Sequence, residues 1–386
     1  MNSATNNHRN QDVNYYCNKF NLYVKYPKIM SIHNNIIINQ NVIHVNNKKR
    51  KKKKKKYTSY YRTDEIPVYL EALKKLNTKL DNKIIQTLYS KNPLRNKKTY
   101  GFSLINNKFN FHNLPNAVDA AVPDDRKKRK REQIINMMIL TIPFLFDDCI
   151  VCDFASGSGH QSIPLAYHFP KCNFILIDMK QKSLQIAEER CKRLGLKNVT
   201  FYHGKIEEYD GKFDVGMSLH ACGVATDLAF LKCFEQSAVC ISCPCCIGKV
   251  VLKDNKYKNN VKTSEENAIE YPKSTVFQNI LTKNEYHALA SAGDFGGHDG
   301  IDETTIGNLT RSENFKSIEL KDNSNSRRIC KSMVELDRIL HAREEGNDYQ
   351  TWMFTLEPKS CTPKNDIIIC AKKLEDKERF KNFLLL

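Results

Sequence analysis

The sequence predicts an α/β protein on a mostly parallel sheet closed by an antiparallel hairpin. Three observations predict it. From residue 149 onward, short apolar runs rich in β-branched residues alternate with helical runs, the pattern of a parallel sheet covered on both faces. A glycine turn in Cys149–His160 (CIVCDFASGSGH) joins the first such strand to its helix. An acid, Asp178, ends the second strand (NFILID) about 20 residues after that turn.

The elements follow in order. Residues 1–56 are rich in Asn and Lys, hold too few apolar residues for a core, and read as a disordered tail. Within them residues 48–56 are all Lys or Arg, half of a net charge of +18. That run is either an import signal or nucleic-acid tether, or low-complexity drift. Residues 57–118 read as a small accessory helical region. Leu70, Leu73, Leu76 and Leu80 recur at helical spacing, and Ile84, Ile85 and Leu88 suggest a second helix. Residues 99–115 read as a weak strand pair or an aromatic loop.

The main domain is expected over 119–375. It opens with an amphipathic helix over 125–140, whose apolar face is Ile134, Ile135, Met138 and Ile139. The basic cluster Arg126–Arg131 on this helix is either a solvated face or the wall of an RNA groove. Strands are predicted at 149–154, 173–178, 199–203, 213–219 and 238–242. Helices are predicted at about 160–168, at 179–194 with Gly195 as C-cap, from about Ala225, at 283–292 and at 326–343. The last of these carries Ile329, Met333, Leu336 and Leu340 on one face. Residues 252–275 read as a loop insertion and 293–300 as a flexible loop. Residues 349–356 and 366–371 form the closing hairpin, and 376–386 a tail.

Composition narrows the class. The net positive charge and a pI of about 9.2 point to a polyanionic partner. Fourteen cysteines without an apolar leader in residues 1–16 read as reduced thiols of a cytoplasmic or nuclear protein rather than a disulfide framework. No apolar run approaches the ~20 residues of a membrane span.

The glycine turn has competing readings. A dinucleotide fingerprint wants a third glycine where Ser162 stands. The turn instead resembles, without a gap, the D/E-x-G/A-x-G-x-G loop of S-adenosylmethionine-dependent methyltransferases. A plain strand-to-helix turn is the bland alternative. Asp178 favours a nucleoside cofactor, since a carboxylate at that strand tip accepts bonds from a ribose diol. It also suits a helix N-cap, and the two roles coexist. Candidate cofactor residues are therefore Asp153, Ala155, Ser156, Gly157, Gly159 and Asp178.

Ligands of open α/β sheets lie outside the carboxyl ends of the strands. Two further words fall there: Leu219–Asp227 (LHACGVATD) and Cys243–Cys246 (CPCC). They nominate His220, Cys222, Cys243, Cys245 and Cys246 as catalytic candidates. His220 is a general base, a substrate-orienting group, a helix cap or a structural histidine. Asp227 reads as a packing or capping residue. The cysteines offer a zinc site completed by His220 or Cys222, a thiolate nucleophile, or a wall of small residues against the methyl group. C-x-C-C spacing is cramped for zinc, so the wall is favoured and no metal is assigned.

The words DFASGSGH, LHACGVATDL and CPCCIGK, the helix RKKRKREQIINM, LTKNEYHALASAGD, and the ending KSMVELDR…PKSCTPKNDIIICAKK occur in order over about 119–373. On them, the chain resembles the methyltransferase domain of the glutathione S-transferase C-terminal-domain-containing proteins. LHACGVATDL and the TPKND-type turn are also similar to tRNA 2′-O-methyltransferases. The resemblance implies a Rossmann-like class I fold with a seven-stranded sheet, S-adenosylmethionine as cofactor and an RNA substrate such as tRNA. His220 stands where many 2′-O-methyltransferases place an acid, which leaves the acceptor atom open. The stretch before residue 119 is shorter than a transferase-like helical domain, so glutathione chemistry is not expected. The expectation is an RNA methyltransferase; the alternatives are a non-catalytic cofactor-binding protein and a protein or small-molecule methyltransferase.

Overall fold

Seven strands line up in the order β3-β2-β1-β4-β5-β7-β6 in a computed structural model that describes residues 63–81, 84, 92, 114–118, 124–248, 269–294, 320–345 and 349–384. The expected tail at 1–56, the 99–113 stretch, Lys249, most of the 252–275 insertion and residues 295–300 lie outside the described residues. Asp64–Leu386 is one of the two units of the chain, and everything below concerns it.

The elements are helix α1 (Ile66–Lys79), α2 (Asp124–Thr141), strand β1 (Ile150–Phe154), α3 (Ser162–His168), β2 (Asn173–Asp178), α4 (Gln181–Leu194), β3 (Val199–His203), β4 (Val215–Leu219), α5 (Val224–Glu235) and β5 (Val239–Cys243). Then come α6 (Lys283–Asp294), α7 (Ser324–Glu344), β6 (Gln350–Thr355), β7 (Asp366–Ala371) and α8 (Leu374–Leu384).

Strands β1 to β5 run parallel, and β7 enters antiparallel to both β5 and β6. This is the Rossmann-like plan with a closing hairpin that the sequence predicts. β4, β5 and β7 are buried along their whole length, as strands covered on both faces must be. Polar residues inside them are paired: Ser218 and Ser242 sit opposite each other, their hydroxyls 2.8 Å apart. β2 and β3 lie in register, so Asp178 is level with His203 at the carboxyl edge. α4 ends where expected, at Gly195 in the left-handed region (φ 66°), with Leu184, Ala187 and Cys191 buried.

Helix α1 packs on α6 through Tyr69, Ala72, Leu73 and Leu76, and Lys75 Nζ meets Glu285 Oε1 at 2.5 Å. Tyr69, not the expected Leu70, completes the buried stripe.

Two stretches differ from expectation. Residues 374–384, read largely as a tail, form α8. Its Phe380 is buried between Phe144, stacked with centroids 5.0 Å apart, and Trp352, edge-on at 4.9 Å. A short amphipathic helix rich in Lys and Glu hides its one anchor from any composition argument. The other is α7. Its apolar face is buried as predicted, but so is its polar face: Arg328, Lys331, Glu335, Asp337 and Arg338 are all inside. They are tolerated because each is paired. Lys331 Nζ reaches Asp366 Oδ2 at 2.7 Å and Glu335 Oε1 at 2.9 Å, Arg328 bonds Asp366 Oδ1, and Arg338 joins Glu335 to Asp227. No helix among the described residues is long and apolar enough to cross a membrane.

Candidate active site

The glycine turn leaves β1 through three residues in the left-handed region, Ala155 (φ 56°), Gly157 (φ 57°) and Gly159 (φ 70°). Two of these positions need glycine for different reasons. A Cβ on Gly159 would stand 2.8 Å from Leu176 Cδ2 and 2.9 Å from Ile163 Cδ1, so the turn is pressed against the sheet there. A Cβ on Gly157 would meet nothing within 4 Å. That face of the turn opens to space, which is what a ligand approaching the backbone requires.

Asp178 stands beside this opening. Its Oδ2 accepts the Gly157 N–H at 2.8 Å and its Oδ1 accepts the Lys180 N–H at 2.7 Å. The carboxylate is half-buried, and each oxygen keeps a second lone pair for a further donor. Ser156 is buried, and its Oγ has no hydrogen-bond partner among the described residues. A buried hydroxyl is rarely left so; it and the bare Gly157 face fit a polar ligand lying across the turn.

Asp153 is placed differently from the other candidates. It is buried behind the turn, accepting from Gln161 Nε2 at 2.6 Å and from Ser162 Oγ. Burial pushes its carboxyl up to about 7, opposed by those two bonds. It pins the start of α3, and Ser162 is spent on that bond. Arg190, on α4, is a residue that sequence reasoning missed. Its guanidinium donates to the carbonyls of Ala117 (2.9 Å) and Val118 (2.8 Å) and to that of Ser158 in the turn. In the sequence only its position in a helical pattern was visible.

The second wall is built from the tips of β4 and β5. His220 follows β4 in the left-handed region (φ 68°), and its N–H donates to Cys243 O at 3.3 Å. Gln133, from α2, gives its Nε2 to Cys361 O at 2.9 Å and so turns Oε1 toward His220 Nε2, also at 2.9 Å. An amide oxygen only accepts, so His220 donates from Nε2 and keeps its lone pair on Nδ1. Burial, with the nearby Lys130 ammonium, lowers the imidazole to about 4. His220 is therefore neutral at pH 7.

Lys130 is the surprise of the basic cluster. While Arg126, Lys128 and Arg129 are exposed, Lys130 is half-buried, close enough to act on Asp153, His220, Cys243 and Cys245. Burial lowers its ammonium from the usual lysine value. One face of the cluster thus sends a cation into the cleft, a split that residue types alone do not reveal.

The five catalytic candidates do not act as one group. Cys243 is buried and aims at Lys364 O, 4.0 Å away, and burial pushes its thiol up to about 12. Cys222, Cys245 and Cys246 come together instead, with Sγ atoms within 4.8 Å of one another. Hydrogen bonds with Cys222 and Cys246, together with burial, push the Cys245 thiol up. Neither Cys243 nor Cys245 has the depressed pKa of a thiolate nucleophile. Asp227 is buried, held by Nε and Nη2 of Arg338, each at 2.9 Å, and by the Tyr271 hydroxyl at 2.7 Å, the packing role considered for it.

Comparison with known proteins agrees with this architecture. Residues 145–294 match the family model described as a methyltransferase domain. The topology is Rossmann-like, and the matched stretch, which holds the turn, is similar to methyltransferase domains. Over 257 residues the chain is 34% identical to the Glutathione S-transferase C-terminal domain-containing protein homolog of Drosophila pseudoobscura pseudoobscura, covering 66% of this chain and 38% of that protein. The resemblance drawn from the sequence words therefore holds, and the chain spans about two fifths of the length of the relatives bearing that name. A second relative, Ribosomal RNA small subunit methyltransferase G of Phocaeicola vulgatus, is 42% identical over 71 residues, 18% of this chain and 34% of that one. Among solved structures, an rRNA methylase from Streptococcus thermophilus aligns with a TM-score of 0.31 at 10% identity, covering 63% of this chain and 96% of that chain.

Proposed function

We propose that the chain is an S-adenosylmethionine-dependent methyltransferase acting on RNA. The observation that carries the cofactor reading is the open face of Gly157 beside Asp178, with the unpartnered Ser156 hydroxyl next to it. Asp178 would hold the ribose diol through its remaining lone pairs. The 155–159 backbone would receive the amino-acid end, and Ser156 Oγ would gain a partner there. When bound, S-adenosylmethionine supplies an electrophilic sulfonium methyl.

Methyl transfer to a nucleophilic acceptor asks the protein mainly for alignment and exclusion of water. His220 fits the first task. With a pKa near 4 it is a poor general base at neutral pH, where the best bases titrate near 7. Its Nδ1 lone pair is instead a fixed acceptor for a donor on the substrate. Lys130 offers a positive charge between the two walls, suited to the phosphate of an acceptor nucleotide.

Support for RNA comes from charge and likeness. The exposed Lys128 and Arg129 lie on the same helix that sends Lys130 inward. The chain as a whole carries +18, and one relative is named for ribosomal RNA. The test is incubation with a methyl-labelled donor and total RNA or total protein. Nuclease-sensitive label in RNA is expected. Label only in protein or small molecules would remove the RNA reading, and no transfer with intact cofactor binding would leave a binding protein.

A further inference from the structure

We propose that Cys222, Cys245 and Cys246 form a three-thiolate site for a thiophilic divalent cation, zinc, on the acceptor side of the cleft. The three residues come from two strand tips. Cys222 follows β4, whereas Cys245 and Cys246 follow the neighbouring β5. The Sγ atoms of Cys222 and Cys245 are 3.2 Å apart, those of Cys245 and Cys246 3.6 Å, and all three lie within 4.8 Å. Zinc bonded to sulfur at about 2.3 Å in a tetrahedron sets its thiolates about 3.8 Å apart. The trio thus has the dimensions to close on one ion with shifts below an ångström.

Spacing along the chain argued against this site, since adjacent cysteines make a poor pair by themselves. The third dimension answers that objection, because the partner of the pair lies on another loop. Both loops are held independently of any ion: Gly223 N–H donates to Cys246 O at 2.9 Å, and His220 N–H to Cys243 O. Of the other two residues considered for zinc, Cys243 is turned to Lys364, and His220 is not among the ligand atoms gathered within 4.8 Å. Among the described residues no other group of three Cys, His, Asp or Glu ligands gathers this closely.

Among the described residues the site has an open side. Cys222 is exposed and Cys245 and Cys246 are half-buried, which leaves the fourth position of a tetrahedral ion to water from the cleft. On binding, three S–H bonds break, three Zn–S bonds form and three protons pass to solvent, with no electron transferred. The resulting assembly carries one net negative charge, and Lys130 lies near enough to Cys245 to balance it. The ion would clasp the two strand tips that shape the acceptor wall. Nothing in this depends on methyl transfer.

The test uses the full chain, purified under reducing conditions without oxygen, equilibrated with zinc and analysed for metal content. One zinc per chain is expected. Cobalt in its place should give intense tetrahedral visible bands and sulfur-to-cobalt charge-transfer absorption in the near ultraviolet. Cys222→Ser and Cys245→Ser should each weaken zinc binding more than about tenfold, with far-ultraviolet circular dichroism confirming the fold. Cys172→Ser, remote from the cluster, should bind as the natural chain does. Three results would overturn the site: no zinc on the reduced chain, zinc retained when all three cysteines are replaced, or octahedral cobalt bands. A Cys222–Cys245 disulfide in protein that binds no metal after reduction would point to a redox pair instead.

Discussion

His220 Nε2 lies 2.9 Å from Oε1 of Gln133, a residue 87 positions earlier on α2. Because Gln133 is itself fixed by Cys361 O, the imidazole is held as one tautomer. Its proton should stay off until the pH falls near 4, whereas an exposed histidine titrates near 6.5. Lys130→Met should raise that pKa by removing a nearby positive charge. NMR titration of labelled histidine checks both; a His220 midpoint between 6 and 7 in the natural chain would contradict the burial described. The sign for stability follows. A depressed pKa stabilises the fold fully above about 6.5, and that contribution drains away as the pH drops toward 4.

Asp178→Ala should abolish measurable S-adenosylmethionine binding in calorimetry. The change removes the acceptor proposed for the ribose diol and also releases the Gly157 and Lys180 amides. Charged hydrogen bonds are worth about 1.5–3 kcal/mol each, so two place the loss at a hundredfold or more, by about 1.4 kcal/mol per factor of ten. Affinity equal to the natural chain, with a normal melting curve, would detach Asp178 from the cofactor.

The buried pairing around Asp366 is the place where one substitution should damage the fold most. Asp366→Asn leaves Arg328 and Lys331 inside without their shared carboxylate, at a cost of about 3–5 kcal/mol. Those two cations hold the Asp366 carboxyl well below the usual range, in spite of its burial. Its stabilisation is therefore complete above about pH 4 and is lost below that, as the pH falls toward the folded-state value. Urea unfolding at pH 7 and at pH 3 measures both effects, and the gap between natural chain and variant should narrow in acid.

If the α2 lip meets RNA, the double substitution Lys128→Gln with Arg129→Gln should weaken tRNA binding. It should also flatten the slope of log affinity against log salt by about 1.4, at ~0.7 per contact for single strands. Filter binding from low to moderate salt reads this directly. An unchanged slope would return these side chains to the role of a solvated face.

The strands were legible nearly to the residue, since runs such as NFILID and DIIICA carry their burial in the sequence itself. The glycine turn was legible because φ near +60° leaves a chemical trace in residue choice. What hid were features made by distant partners. Arg190 looks like any helical arginine until Ala117, Val118 and Ser158 surround it. The charged face of α7 looks solvated until Asp366 and Asp227 arrive from elsewhere in the chain. The CPCC word was visible, but the separation of Cys243 from Cys245 and Cys246 depends on which way each side chain leaves the tip of β5.

The grip of Arg190 on three carbonyls has a mechanical meaning. One end of the strut is the Ser158 peptide in the glycine turn; the other is the 117–118 segment, which lies before the first strand. The turn is thus not braced by its own sheet alone. Whatever tugs on residues 117–118 slackens the cradle from outside, and whatever fills the cradle stiffens that outlying segment in return.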